Sequence, residues 1–300
     1  RAAHSLLPLG KVILRAAVAA NNRFGDKKPI YIVPVGIEYG SYFRYRSTCL
    51  ISYGKAINVT EFIKGLDVEN EAQVMEPLRK ELASRMSELI SYVKDDENLY
   101  SKWSLTRILT CRFRDKGLAG NLSDNQSVIA QIERAAEEHP ANMQELLDKA
   151  AAFDKKIDKA DIDILSFKRK GLLFKAIWKG LAAIAGLPFF IFSAVAALPM
   201  WGAAWFIRRG LKDPAFGNTV NLGVKIVGTL IWLPLLTIVL FLTTPWFIAA
   251  GLVLASIPAY SYFYDYQDFV RILISDCRLM QRKDLRKEFK EIENSFIDLL

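Results

Sequence analysis

The chain has two histidines, His4 and His139, the side chain best suited to move a proton near neutral pH. A catalytic histidine needs a carboxylate to orient it. Where an H-x-x-x-x-D pair would place that carboxylate stand Leu9 and Gln144. No G-x-S-x-G elbow, Walker-type phosphate loop or H-E-x-x-H helix occurs. Cys49, Cys111 and Cys277 lie far apart with no C-x-x-C pair, which points to neither a zinc site nor a disulfide framework but to reduced thiols facing a cytoplasm. The basic turn Gly25-Asp26-Lys27-Lys28 has the chemistry to touch phosphate, although it reads first as a solvated loop. Lys212-Asp213-Pro214 reads as a turn between apolar segments. These residues call for no metal and no cofactor, and taken alone they predict only a membrane-attached α/β protein.

Composition explains why a membrane enters. The 300 residues are 52% hydrophobic, 12% aromatic and 24% charged, so apolar and charged residues must sit in different places. Up to about Lys170 the chain is charged and soluble in character; from there to about Tyr264 charge nearly vanishes. The net charge of +8 suits nucleic acid, an anionic membrane or phosphorylated substrates. The positive charges flank apolar stretches and form no aromatic-interleaved patch, so membrane lipids are the expected partner and nucleic acid is not.

The elements follow from periodicity. Residues 1–65 read as the C-terminal part of an α/β domain: a helix over 11–20, a buried-type strand Ile30-Tyr31-Ile32-Val33-Pro34-Val35, and a second strand over 47–53 closed by Gly54. Residues 66–165 read as a helical packing module. Leu78, Leu82, Met86, Leu89 and Val93 fall on one helix face, and further helices are expected over 123–138 and 142–159, parted by His139-Pro140. Residues 166–265 hold two uncharged segments, 180–207 and 226–264, each longer than the about 20 residues that cross a bilayer core. Basic residues flank every end: Lys168, Arg169, Lys170, Lys175 and Lys179 before, Arg208, Arg209, Lys212 and Lys225 between, Arg271, Arg278 and Arg282 after. If positive charge marks one side, each segment enters and returns as a hairpin, with breaks expected at Pro188, Pro199 and Thr243-Thr244-Pro245; three simple crossings are the rival topology. Residues 266–300 read as an amphipathic helix with Leu285, Phe289, Ile292, Phe296 and Leu299 on one face.

The stretch His4-Ser5-Leu6-Leu7-Pro8-Leu9-Gly10-Lys11-Val12-Ile13-Leu14, followed by Ile32-Val33-Pro34-Val35-Gly36-Ile37 and Tyr53-Gly54-Lys55-Ala56-Ile57, resembles the PlsC-type glycerolipid acyltransferases in order and spacing over about the first 60 residues. In that family a Leu-Leu-Pro-Phe-Lys-x-Gly helix start precedes a Val-Pro-Val strand. Leu211-Lys212-Asp213-Pro214-Ala215-Phe216 with Thr219-Val220 is similar to long-tailed bacterial members, whose acyltransferase domain carries a hydrophobic extension. The resemblance implies an enzyme of phospholipid biosynthesis, in the bacterial cytoplasmic membrane with its enzyme domain inside. It would move a fatty acyl group from acyl-CoA or acyl-carrier protein to lysophosphatidic acid, giving phosphatidic acid. It places Val33, Pro34 and Val35 on the acyl-donor side, and Arg1 and Lys11 near the acceptor's phosphate. Gly10-Lys11-Val12 departs from the usual Lys-x-Gly. The family's H-x-x-x-x-D pair, its histidine a general base, does not occur in residues 1–300; it is expected upstream of Arg1, so that this chain alone is inactive. Acylation of glycerol-3-phosphate or another lysolipid, and a non-catalytic membrane adaptor with an acyltransferase remnant, are the competing functions.

Overall fold

A computed structural model describes residues 4–25, 27–40, 45–66, 71–94, 96–111, 117–168, 171–213 and 216–300. The chain forms two compact units. The first comprises Arg1–Gly40, Thr48–Lys155 and Glu288–Leu300, the second Ser41–Ser47 and Lys156–Lys287.

In the first unit, helix α1 (Lys11–Phe24) buries Leu14, Ala17 and Val18, a three-and-four spacing that makes one apolar stripe. The stripe packs with Ile32, Ile57 and Val59 and with Val74, Leu78 and Leu82 of α3 (Glu71–Ser87). Strands β1 (Tyr31–Ile32) and β2 (Val35–Tyr39) pair antiparallel with β4 (Ile57–Asn58) and β3 (Cys49–Tyr53), respectively. The register slips by one residue between the two pairs, Ile32 facing Ile57 while Val35 faces Tyr53. Pro34 explains the slip: it has no N–H to give the ladder, and its carbonyl accepts instead from the Gly54 N–H at 2.9 Å. The short helix α2 (Val59–Lys64) follows, with Asn58 Oδ1 accepting from the Glu61 N–H. Thr60 Oγ1 donates to Asn21 Oδ1 at 2.7 Å and accepts from Ile30 N at 3.1 Å, joining α1, β1 and α2.

The remaining helices of this unit are α4 (Leu99–Thr110), α5 (Gly117–Glu138) and most of α6 (Pro140–Lys159). Asp154 of α6 accepts from Ser104 Oγ at 2.9 Å and from Arg107 Nη1, at 3.0 Å on each oxygen, which fastens α6 to α4. Helix α12 (Lys283–Ile297) brings Phe289 against Phe153, ring centroids 6.1 Å apart. The α/β expectation for 1–65 therefore reduces to a coarser result. The chain is predominantly helical, and its few strands pair only antiparallel among the described residues. For β2 and β3 the reason is the short stretch of sequence between Tyr39 and Cys49, because parallel pairing needs a crossover of about a dozen residues or more. The expected stripe on α3 also ends early: the helix stops at Ser87, and Leu89 lies beneath β2.

In the second unit, α7 (Leu165–Lys168) leads to α8 (Leu172–Ala196), α9 (Leu198–Arg209), α10 (Gly217–Thr243) and α11 (Trp246–Gln281). Helices α8, α10 and α11 are long and apolar enough to cross a membrane. Their outward side chains, among them Ile184, Leu230, Leu242 and Leu254, stay uncovered by protein, as lipid-facing residues do. Pro188 does not break its helix. Tyr262 and Tyr266 of α11 donate to the carbonyls of Gly186 and Ala183 at 3.1 and 2.8 Å, fastening α8 to α11 beside the proline. The break falls instead at Ala197, with Pro199 in the first turn of α9. The second break falls at Thr244-Pro245, within the expected place.

The two helical pairs differ in depth. Gly186 is level with Tyr262, and Asn221 with Tyr260 and Tyr264, through hydroxyl contacts. Beyond that level α8 continues only to Ala196, about 15 Å, whereas α10 continues to Thr243, about 33 Å. The Trp232 indole donates to the Ala196 carbonyl at 2.8 Å, so α8 ends halfway along α10, with its terminal carbonyl satisfied. Helix α9 then returns about 18 Å along α10. Met200 sits against Gly228, where a Cβ would lie 2.7 Å from its Cγ, and Arg208 lies over Gly217.

Candidate functional site

The sequence-motif residues of the first unit occupy two opposite sides of the strand pair. Ile32, Pro34 and Gly36 point inward, Ile32 onto the α1 stripe. The alternate residues Tyr31, Val33, Ile37 and Tyr39 are each about half exposed, Val35 is half-buried, and Ile51 and Tyr53 of β3 join them on the outer side. Val33 and Val35 thus stand on an uncovered apolar face, while Pro34 is buried against Gly54. The inner face is held by polar groups. Glu38 accepts from the Ser91 hydroxyl at 2.5 Å and from its N–H at 3.1 Å, and Asn125 Nδ2 donates to Ser91 Oγ at 2.9 Å.

Lys11 opens α1, which covers the inner side, so the structure does not bring it together with Val33 and Val35. It is exposed, and its charge acts on Glu76. The Glu76 carboxyl is held below its ordinary range first by the Arg79 hydrogen bond, 2.9 Å long, with smaller help from Lys80 and Lys11. Arg1 lies outside the described residues, as does Asp26 of the basic turn. Between Leu6-Leu7-Pro8-Leu9 and α3 runs an open groove of about 520 Å³, lined also by Glu76, Arg79 and Lys80. Arg79 is already bonded to Glu76 there, at 2.9 Å, so the groove carries one carboxylate beside its two cations. Arg79 and Lys80 were visible in the sequence only as charges on a helix; their place beside the Leu-Leu-Pro-Leu segment is a tertiary fact.

Neither histidine is set up as a general base by a carboxylate at the family spacing. His4 stacks on Trp103, ring centroids 3.3 Å apart, and His139 is an exposed residue between α5 and α6. Cys49 is exposed, Cys111 buried and Cys277 half-buried, and none is in a disulfide. Among the described residues no three His, Cys, Asp or Glu side chains converge as a metal site.

No protein-family model, curated protein or solved structure matches this chain.

In the second unit a polar cluster escaped the sequence reading. Asp276, fully buried on α11, accepts from Lys179 Nζ at 2.7 Å and from Ser166 Oγ at 2.8 Å, and Ser166 lies 2.8 Å from Ser275 Oγ. Serine, lysine and carboxylate side by side suggest nucleophile chemistry, but Ser166 is completely enclosed and no substrate carbonyl reaches it. The cluster instead fixes α7 and α8 to α11.

Proposed function

We propose that this chain is a membrane-held part of a glycerolipid acyltransferase, moving a fatty acyl group from acyl-CoA or acyl-carrier protein to lysophosphatidic acid. The observation that carries the reading is the outer face of the strand pair: Val33 and, in part, Val35 present an apolar surface with Ile37, Ile51 and Tyr53, while Pro34 between them is buried. A face of this kind suits the acyl-donor side that the motif resemblance assigns to it. The groove beside Leu6–Leu9 lies on α3, across from that face, so it is not assigned to the acceptor. The apolar helices α8, α10 and α11 would tie the chain to a membrane, where lysolipid is concentrated.

In this chemistry the acceptor hydroxyl oxygen bonds to the thioester carbonyl carbon, the carbon–sulfur bond breaks, and the hydroxyl proton passes to a base. No H-x-x-x-x-D pair occurs in residues 1–300, so these residues are assigned binding and membrane placement and not the base. The bacterial cytoplasmic membrane is the proposed setting.

The test is acyl transfer in membranes carrying the natural protein, with lysophosphatidic acid and labelled acyl-CoA or acyl-carrier protein. Phosphatidic acid should form, and Val33→Asp should lower its rate at least about tenfold at unchanged protein level, since a carboxylate in an apolar acyl path is strongly disfavoured. No transfer to lysophosphatidic acid, glycerol-3-phosphate or another lysolipid, with the protein intact in the membrane, sinks the enzyme reading and leaves the adaptor.

A further inference from the structure

We propose that the second unit binds one anionic phospholipid in the cleft between α8 and α11, its phosphate on Arg271 and Arg278 and an acyl chain along Phe190, Val270 and Ile274. The cleft has a volume of about 310 Å³, and its lining changes character along its length. Val270, Arg271, Ile274 and Arg278 recur at helical spacing, so they share one face of α11. At the inner end Phe190 stacks on Tyr266, ring centroids 4.4 Å apart, and on Phe263 at 5.3 Å. Phe190 lies within the uncharged segment that begins at Gly180. Toward the outer end stand the two guanidinium groups, Arg271 about one and a half turns and Arg278 about three turns beyond Tyr266 along α11. A phospholipid has the same order of chemistry, charge outside and hydrocarbon inside.

The charges are arranged for a further anion. Arg278 bonds both the carboxylate and, at 3.2 Å, the carbonyl of Asp161. Arg271 reaches that carboxylate only at 3.7 Å and is 69% exposed. Two guanidiniums therefore share one carboxylate and leave a net positive charge. Asp161 has φ of 51°, a left-handed conformation that costs a non-glycine residue energy. That conformation closes the end of α6, where the Ile162 N–H donates to the Ile157 carbonyl at 3.0 Å, and from there the carboxylate meets Arg278 and, at 3.7 Å, Arg271. The planar guanidinium fork matches a phosphate diester, and a basic side chain at an anionic membrane surface is worth about fivefold in affinity. The assignment rests on the membrane placement of α8–α11 and not on acyl transfer.

The experiment is native mass spectrometry of the whole protein released from nanodiscs of equal phosphatidylglycerol and phosphatidylcholine. One phosphatidylglycerol should be retained per chain in preference to phosphatidylcholine. Arg271→Gln should lower retention about fivefold with unchanged thermal unfolding, because Arg271 holds little of the fold. Ile274→Glu should lower it too by charging the apolar wall. Equal retention of the two lipids, equal retention by the wild type and Arg271→Gln, or full displacement by inorganic phosphate would each overturn the site. Flotation with vesicles is read in parallel. Loss of flotation sinks the membrane placement itself, whereas flotation without lipid preference sinks only the site.

Discussion

The Lys179 ammonium donates to the Asp276 carboxylate across 2.7 Å, with the carboxylate completely enclosed and the lysine only about one-fifth exposed. A buried carboxylate owes its tolerance to its partners, here Lys179 and Ser166. Lys179→Met should therefore destabilise the protein by about 3 kcal/mol, because it strands a charge, and Lys179→Met with Asp276→Leu should recover much of the loss. Chemical unfolding in detergent micelles measures both. A single variant as stable as the wild type would mean that the pair contributes no such support.

Gly36 and Ile37 are neighbours on β2 and face opposite ways. A Cβ on Gly36 would lie 2.4 Å from the Leu89 carbonyl oxygen, a backbone atom that cannot swing aside. Gly36→Ala should cost about 2 kcal/mol by overpacking. Ile37 is half exposed, so Ile37→Thr should change stability by no more than about 0.5 kcal/mol. Thermal unfolding of the two variants decides whether the outer face is as open as described; a large loss from Ile37→Thr would show that it is covered.

The unequal pairs α8–α9 and α10–α11 predict a one-sided insertion. After Cys49, Cys111 and Cys277 are replaced by serine, single cysteines at Leu211 and at Gln281 should label from the same side of the membrane with an impermeant maleimide. A cysteine at Thr244 should resist the reagent from that side. The basic ends Arg208, Arg209, Lys225, Arg271 and Arg278 share one side in this arrangement, which avoids carrying charge through hydrocarbon. Labelling of Leu211 and Gln281 from opposite sides would require a full crossing between them and would overturn it.

Local pattern carried most of the elements. The short apolar run over 11–20 made α1 legible, and Thr243-Thr244-Pro245 marked the turn between α10 and α11, because apolar runs and proline are properties of neighbours in the chain. The first apolar segment was harder to divide. Pro188 looks like a break in the sequence, yet α8 runs through it, packed against α11, whose Tyr262 and Tyr266 donate to the nearby Gly186 and Ala183 carbonyls. Val33-Pro34-Val35 read as one buried strand. In the structure Pro34 interrupts the ladder and Val33 faces outward, since a strand shows alternate residues to opposite sides and only one side here is packed.

By itself, the sequence determined that a charged, helix-rich region precedes apolar segments bounded by basic residues, because composition and periodicity are short-range and survive any packing. The tertiary structure alone decided that Lys11 and Val33 lie on opposite sides of the strand pair, that α8 stops halfway along α10, and that Asp161 meets Arg271 and Arg278. Each of these depends on residues many turns apart whose separation no local pattern encodes. Arg278 and Asp161, for instance, stand 117 positions apart and meet only once α11 has folded back along α8.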